Sequence, residues 1–154
     1  RCGRAHDGRY LNMRGKDFSD HNAKIDFLFD HHASTVGIGD GGNEIGMGNL
    51  ASVVPTIPSL VREPCTTKTT QLVISSISNW GAYGLVAALS HRMGRNLLPS
   101  VESERGLVRR AVDLGAVDGM SFKREHKVDG FTLEEYSRAL EELHELLVRE
   151  GVPS

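Results

Sequence analysis

The sequence predicts an α/β fold in which an open, mixed or mostly parallel sheet is flanked by helices. Residues 34–38 and 72–74 are uncharged and rich in β-branched side chains, which is typical of buried strands. Each of these stretches runs through a short turn of glycine or small polar residues into a segment that we expect to be helical. Strands that alternate with helices favour a parallel sheet.

The chain begins with a basic, loop-rich segment. Residues 1–16 contain one acid, Asp7, and five cations: Arg1, Arg4, Arg9, Arg14 and Lys16. Arginine forks suit carboxylate or phosphate, and a solvated basic surface is the alternative. A helix is expected from Ser19 to the pair His31-His32, with its apolar side formed by Ile25, Phe27, Leu28 and Phe29.

A glycine-rich turn at residues 39–43 follows the first strand, and a helix is expected over residues 44–54. Glycines in such a turn let the backbone approach a ligand, and the start of a helix attracts anions. Asp40 and Glu44 add negative charge, so the combination suits a divalent cation bridging to an anion, or an amino acid with both signs. The spacing matches neither phosphate-binding glycine motif. A glycine-rich turn with two solvated carboxylates is the alternative.

The second strand, within residues 65–77, leads into Ser78-Asn79-Trp80-Gly81 and a second helix. Residues 82–89 are apolar nearly all round, which predicts a buried helix that ends at Gly94. The carboxyl ends of parallel strands meet at one edge of a sheet, so both turns could line one crevice. Helix capping by Ser78 or Asn79 is the alternative.

Two further helices complete the prediction. The first covers residues 101–114 and is closed by Gly115. Asp118-Gly119 and Asp129-Gly130 then predict turns. In the last helix, Thr132 is the cap and Glu135 its capping-box partner. The buried face of this helix is formed by Leu133, Tyr136, Leu140, Leu143 and Leu147.

Composition narrows the function classes. The net charge of −2 gives no reason to expect a nucleic-acid or membrane partner, and no apolar run reaches membrane-spanning length. The two cysteines, Cys2 and Cys65, indicate neither zinc nor a disulfide framework, so a reducing compartment is expected. No signal peptide is expected. The chain lacks an initiator Met, which is typical of a fragment, and a homo-oligomer is compatible with the sequence.

Together these motifs resemble the D-glutamate cyclase family, specifically its cyclase-like C-terminal domain. The resemblance covers nearly the whole chain, through residues 1–4, 10–15, 37–48, 78–81, 115–119 and 128–130. The glycine motif is long and specific, whereas the Asp-Gly pairs are weak when taken alone. Domains of this family carry a further α/β portion before the segment that begins here. We therefore expect residues 1–154 to be the C-terminal portion of one such domain.

The resemblance implies a lyase that converts D-glutamate, a small amino acid, into 5-oxo-D-proline with loss of water. It also suggests a divalent metal in an acidic pocket, and a hard, oxygen-only ligand set would suit Mg²⁺, Mn²⁺ or Ca²⁺. We expect Asp40, Glu44 and Asp118 to be the metal ligands, and Asp40 or Glu44 to act also as the catalytic base. The expected substrate-binding residues are Arg4, Asn12, Arg14, Gly41, Gly42, Asn43, Ser78 and Asn79.

Two other functions fit the same residues. A metal-dependent phosphate-ester hydrolase would use the glycine turn to hold phosphate. A non-catalytic module would only bind an amino acid or a metal. The expected location is the cytoplasm, or the mitochondrial matrix if the source is an animal.

Overall fold

The computed structural model describes residues 2–153, so Arg1, in the basic segment, lies outside the described residues. Four strands and four α-helices are assigned among them: α1 Phe27–Asp30, β1 Val36–Gly39, β2 Gln71–Ile74, α2 Ser78–Met93, α3 Val101–Asp113, β3 Lys127–Val128, β4 Phe131–Thr132 and α4 Leu133–Arg149. Helices and both kinds of strand pairing confirm the α/β class. The chain divides into two compact units, Arg1–Gly81 and Ala82–Ser154, and the boundary falls within α2. The single domain expected over residues 1–154 stays a prediction.

In the first unit, β1 and β2 form the expected parallel pair. Val36 lies opposite Gln71 in the register, and Gly39 lies opposite Ile74. Both strands therefore end at the same edge. The turns that follow, at Asp40 and at residues 75–77, begin side by side, as the sequence predicted.

The helix predicted over residues 44–54 is wrong. Two short 3-10 helices stand there, Met47–Leu50 and Val54–Thr56. Gly46 has a φ of 99°, which an α-helix does not allow. Residues 41–48 are all buried, and Met47 packs with Val54, Val61 and Cys65 in a hydrophobic cluster. Close packing, instead of helical periodicity, decides the path of the chain here.

The long helix predicted from Ser19 is also wrong. It is replaced by a 3-10 helix, Ser19–His21, and by the single turn of α1, which ends just before His31. The expected apolar face is not buried, because Phe27 is 52% exposed and Ile25 is 44% exposed. The buried side chain of this stretch is Asp26, which is fully enclosed. A polar network therefore anchors the segment.

The second unit agrees better with the sequence. Helix α4 starts at the predicted capping box, in which Thr132 and Glu135 bond each other's backbone amides. Tyr136, Leu140 and Leu147 of the predicted face are buried, and Gly94 ends α2 with a φ of 64°. The expected all-round burial of α2 is wrong, since Leu89 is 45% exposed.

Tyr83, Glu104 and Tyr136 tie the three helices of the second unit together. The hydroxyl of Tyr83 lies 2.6 Å from that of Tyr136, and both donate to the carboxylate of Glu104. β3 and β4 form a short antiparallel pair before α4. Among the described residues, no helix is long and apolar enough to cross a membrane.

Candidate active site at the strand ends

The structure joins the ends of the two parallel strands through Asp40 and Ser78. Asp40 follows β1 directly, and Ser78 is the first residue of α2. The Oδ2 atom of Asp40 accepts hydrogen bonds from the backbone N of Ser78 at 2.6 Å and from its Oγ at 2.5 Å. Ser78 is thus the first residue of the helix, and the Asp40 carboxylate accepts a hydrogen bond from the first backbone N–H of α2. The two turns meet at one point, as predicted.

Glu44 is the second carboxylate at this point, and it is completely buried. Its Oε2 atom accepts hydrogen bonds from the backbone N of Gly42 at 2.8 Å and of Gly41 at 3.2 Å. The amides that the sequence offered to an anionic ligand therefore hold a carboxylate of the protein itself. Contact of Gly41 and Gly42 with a substrate stays a prediction without geometric support here.

Burial and the neighbouring Asp40 control the protonation of Glu44. Burial raises the pKa of Glu44 most, and a hydrogen bond with Asp40 and the charge of Asp40 raise it further. The amide hydrogen bond from Gly42 opposes this rise in part. Glu44 therefore holds a proton more firmly than an exposed glutamate does. Asp40 is only half-buried, so it is the less enclosed residue of the pair.

Glycines make the close packing around this pair feasible. A methyl group added at Gly37 would lie 2.7 Å from the backbone of Ile45 and Gly46, and one added at Gly39 would lie 2.5 Å from the Met47 side chain. At Gly42, whose φ is +108°, it would lie 2.5 Å from Val54. A glycine-rich sequence is therefore needed here for packing, whether or not a ligand binds.

Two asparagines of the predicted site hold the chain in place. The Nδ2 atom of Asn43 donates to the carbonyl of Leu11 at 2.9 Å and contacts Cys2 Sγ at 3.6 Å. The Oδ1 atom of Asn12 accepts from the backbone N of Arg14 and of Lys16, both at 2.9 Å. Both side chains fasten the N-terminal loop, and their contact with a substrate stays a prediction.

Arg4 is engaged with acids of the protein. Its guanidinium pairs with Asp26 at 2.9 Å and with Asp30 at 2.5 Å. Asp26 also accepts hydrogen bonds from the hydroxyls of Tyr10 and Thr67. Burial works to raise the pKa of Asp26, but these hydrogen bonds and the charge of Arg4 outweigh it and hold the pKa below its usual value. Sequence reasoning missed Asp26, because its partners lie far away along the chain.

Arg14 and Asn12 line a cleft of about 260 Å³ in the first unit. Arg14 is exposed there, as a substrate-binding residue would need to be. Asn79 follows Ser78 in the first turn of α2 and is half-buried. Their substrate contacts stay predictions.

Asp118, the third predicted metal ligand, belongs to the second unit. Its carboxylate accepts from the backbone N of Ser121 at 2.6 Å, of Gly130 at 2.9 Å and of Met120 at 3.1 Å. Burial works to raise its pKa, but these amides outweigh it and hold the pKa below the usual value. Asp118 therefore organises its own loop. Within residues 2–153, no group of three or more His, Cys, Asp or Glu is placed to hold a metal ion.

Fold and site together define an α/β protein with two carboxyl groups at the carboxyl edge of a parallel strand pair, a place where such folds bind small ligands. The chain belongs to the D-glutamate cyclase-like, C-terminal family, whose profile matches residues 1–144. It is similar to a Homo sapiens protein named D-glutamate cyclase, mitochondrial, with 38% identity over 98 residues. The match covers 58% of this chain and 15% of that protein.

Proposed function

We propose that this chain catalyses the cyclisation of D-glutamate to 5-oxo-D-proline with loss of water. Membership of the D-glutamate cyclase-like family and the name of the human relative support the reaction class. In the structure, the observation that carries the proposal is the carboxyl pair of Asp40 and Glu44, held at the strand ends by Ser78 and by the amides of the glycine turn.

The reaction needs proton transfer at two atoms. The amino nitrogen of D-glutamate bonds to the side-chain carboxyl carbon, one carbon–oxygen bond breaks, and that oxygen leaves as water with two ammonium protons. One protein group must take a proton from the ammonium, and one must give a proton to the departing oxygen. Two carboxyl groups in unequal environments suit these two tasks.

Asp40 and Glu44 differ in burial, in the way that one base and one acid require. Asp40 is half-buried and can meet the ammonium group as the base. Glu44 lies behind it, fully enclosed, with a pKa raised by burial and by Asp40. A carboxyl group that keeps its proton can pass it through the hydrogen bond to Asp40, from which it reaches the departing oxygen. Ser78 fixes the Asp40 carboxylate during both transfers.

A divalent metal fits this pair in part. Mg²⁺ is commonly held by one or two carboxylates together with ligand oxygens and water. Asp40 and Glu44 supply two hard oxygen donors in contact with each other, and both would hold the cation as carboxylates, without the proton that Glu44 otherwise keeps. When bound, the metal would polarise the substrate carboxylate. Asp118 as a further ligand stays a prediction.

The test is direct. The 154-residue chain is incubated with D-glutamate or L-glutamate, with and without Mg²⁺ or Mn²⁺, and 5-oxoproline is followed by proton NMR. We expect product from D-glutamate and a lower rate after chelation of the metal. No product under any metal condition would refute the proposal and would favour the non-catalytic module that binds an amino acid or a metal.

The phosphate-ester hydrolase gains no support from the geometry. Its phosphate would need the amides of Gly41 and Gly42, and both donate to Glu44 instead. Assaying a generic phosphate ester beside D-glutamate separates the two activities. A homo-oligomer, and a location in the cytoplasm or the mitochondrial matrix, stay predictions.

A further inference from the structure

A cleft of about 260 Å³ lies in the first unit, beside the glycine turn that follows β1. One wall is residues 11–15 and the other is residues 60–63. We propose that this cleft binds a small dicarboxylate, with Arg14 and Arg62 as its two cationic contacts. Arg62 is not among the substrate-binding residues that the sequence predicted, because it belongs to no recognisable motif. The proposal rests on the proposed function only for naming D-glutamate as the natural ligand.

The first wall is a fixed turn. Asn12 closes it twice, because its backbone N donates to the carbonyl of Lys16 at 3.0 Å and its side chain accepts from the N of Arg14 at 2.9 Å. Gly15 has a φ of +74°, a conformation that glycine adopts without strain. The backbone of Arg14 is therefore held in place while its side chain is exposed to the cleft.

The second wall is tied to the glycine turn. The N of Val61 donates to the carbonyl of Gly41 at 3.3 Å, and the N of Cys65 donates to the carbonyl of Gly42 at 2.8 Å. Arg62 lies between these two anchors. Its position relative to the carboxyl pair of Asp40 and Glu44 is thus set by backbone hydrogen bonds.

The charge balance of the cleft favours an anion. Glu63 is the acid in its lining, and that carboxylate pairs with Arg9 at 3.2 Å. Arg62 is exposed, and no acid of residues 2–153 forms an ion pair with it. Arg14 lies on the opposite wall, so the lining contains two arginines and one acid. Guanidinium forks suit carboxylates in particular.

The apolar part of the lining favours a short carbon chain between the two charges. It is formed by the side chains of Leu11, Met13, Leu60 and Val61. Leu11 and Val61 are buried, and methylene groups of a ligand would gain by contact with this apolar lining. Two anionic ends joined by a few methylenes describe a dicarboxylate of the size of glutarate or glutamate.

Gly41 separates this cleft from the carboxyl pair. A methyl group added at Gly41 would lie 2.2 Å from Met13 Sδ and 3.5 Å from Glu44 Oε1. The Met13 thioether, which is 43% exposed, therefore covers the glycine on the cleft side, with Glu44 nearby. Methionine is flexible and can yield to a ligand. Met13, which lines the cleft, therefore lies beside Gly41 and close to Glu44.

Calorimetry with glutarate tests the site apart from catalysis, because glutarate has no amine and cannot cyclise. We expect glutarate to bind, and Arg62→Gln to weaken binding roughly tenfold or more, the range for a charge-assisted hydrogen bond. Arg92→Gln, an exposed arginine in α2, is the matched control and should bind like the wild type. Butyrate, with one carboxylate, should bind the wild type more weakly than glutarate does.

The results separate the site from the reaction. Glutarate that fails to bind, or that binds Arg62→Gln and Arg92→Gln equally well, overturns the proposal. Inorganic phosphate that binds as tightly as glutarate, with the same loss in Arg62→Gln, also overturns it, since the cleft would then select no dicarboxylate. Glutarate binding that depends on Arg62, with no turnover of D-glutamate, would refute the cyclase proposal and leave the cleft intact.

Discussion

Ser78→Ala measures how far the site depends on holding Asp40 still. The substitution removes the hydroxyl hydrogen bond to Asp40 Oδ2 at 2.5 Å and leaves the backbone bond at 2.6 Å. A hydrogen bond to a charged group contributes about 1.5–3 kcal/mol. Because the backbone bond remains, we take the lower end, which corresponds to a roughly tenfold lower kcat. KM for D-glutamate should change little, since the hydroxyl faces Asp40.

The assay is the initial rate of 5-oxoproline formation over a range of D-glutamate concentrations. Ser78→Thr keeps the hydroxyl and should recover most of the rate. Ser76→Ala is the matched control, because Ser76 is exposed and lies two residues earlier. A higher KM at unchanged kcat in Ser78→Ala would refute the reasoning, because it would show the hydroxyl contacting the substrate instead.

Three further predictions concern stability. Gly48→Ala should lower the free energy of unfolding, measured by urea titration, by about 1–3 kcal/mol, because its methyl group would lie 2.4 Å from the Thr66 carbonyl oxygen. Gly106→Ala should raise the free energy of unfolding by about 0.5–1 kcal/mol, because a methyl group there meets no atom within 4 Å. Equal effects of the two substitutions would contradict the role of packing at Gly48. Glu44→Gln should abolish turnover and raise the melting temperature at neutral pH. The buried carboxyl of Glu44 favours its protonated form, so the wild-type fold loses stability as the pH rises through the raised pKa of Glu44, and glutamine has no proton to lose. A lower melting temperature in Glu44→Gln would contradict this prediction. The pKa of Asp26 is lower in the folded protein than in the unfolded chain, so its carboxylate stabilises the fold at pH values above the unfolded pKa, and this stabilisation is lost below about pH 4. Asp26→Asn should therefore reduce the fall of the melting temperature between about pH 5 and acid pH. The same fall in both proteins would contradict this prediction.

Local signals explain what the sequence predicted correctly. The capping box of Thr132 and Glu135 is complete within four residues, and α4 starts there. That the two turns lie together followed from a general rule about parallel strand ends, and the hydrogen bond from Ser78 to Asp40 confirms it. In both cases the deciding atoms are close in sequence or are related by regular strand pairing.

Long-range packing explains what the sequence could not predict. The helix over residues 44–54 fails because Gly48 lies against the backbone of Thr66 and Thr67, contacts that no local pattern reveals. The helix from Ser19 fails because Asp26 is buried by Arg4, Tyr10 and Thr67. For the same reason the sequence did not reveal that Arg4 pairs with Asp26 and Asp30. Side chains whose partners are distant need coordinates before their roles can be assigned.

The most direct measurement compares the wild-type chain with Asp40→Asn for D-glutamate turnover by proton NMR, with circular dichroism to show that both are folded. We expect the wild type to form 5-oxoproline and Asp40→Asn not to form it, because the side chain that meets the ammonium can no longer accept its proton. Equal rates in the two proteins would contradict it.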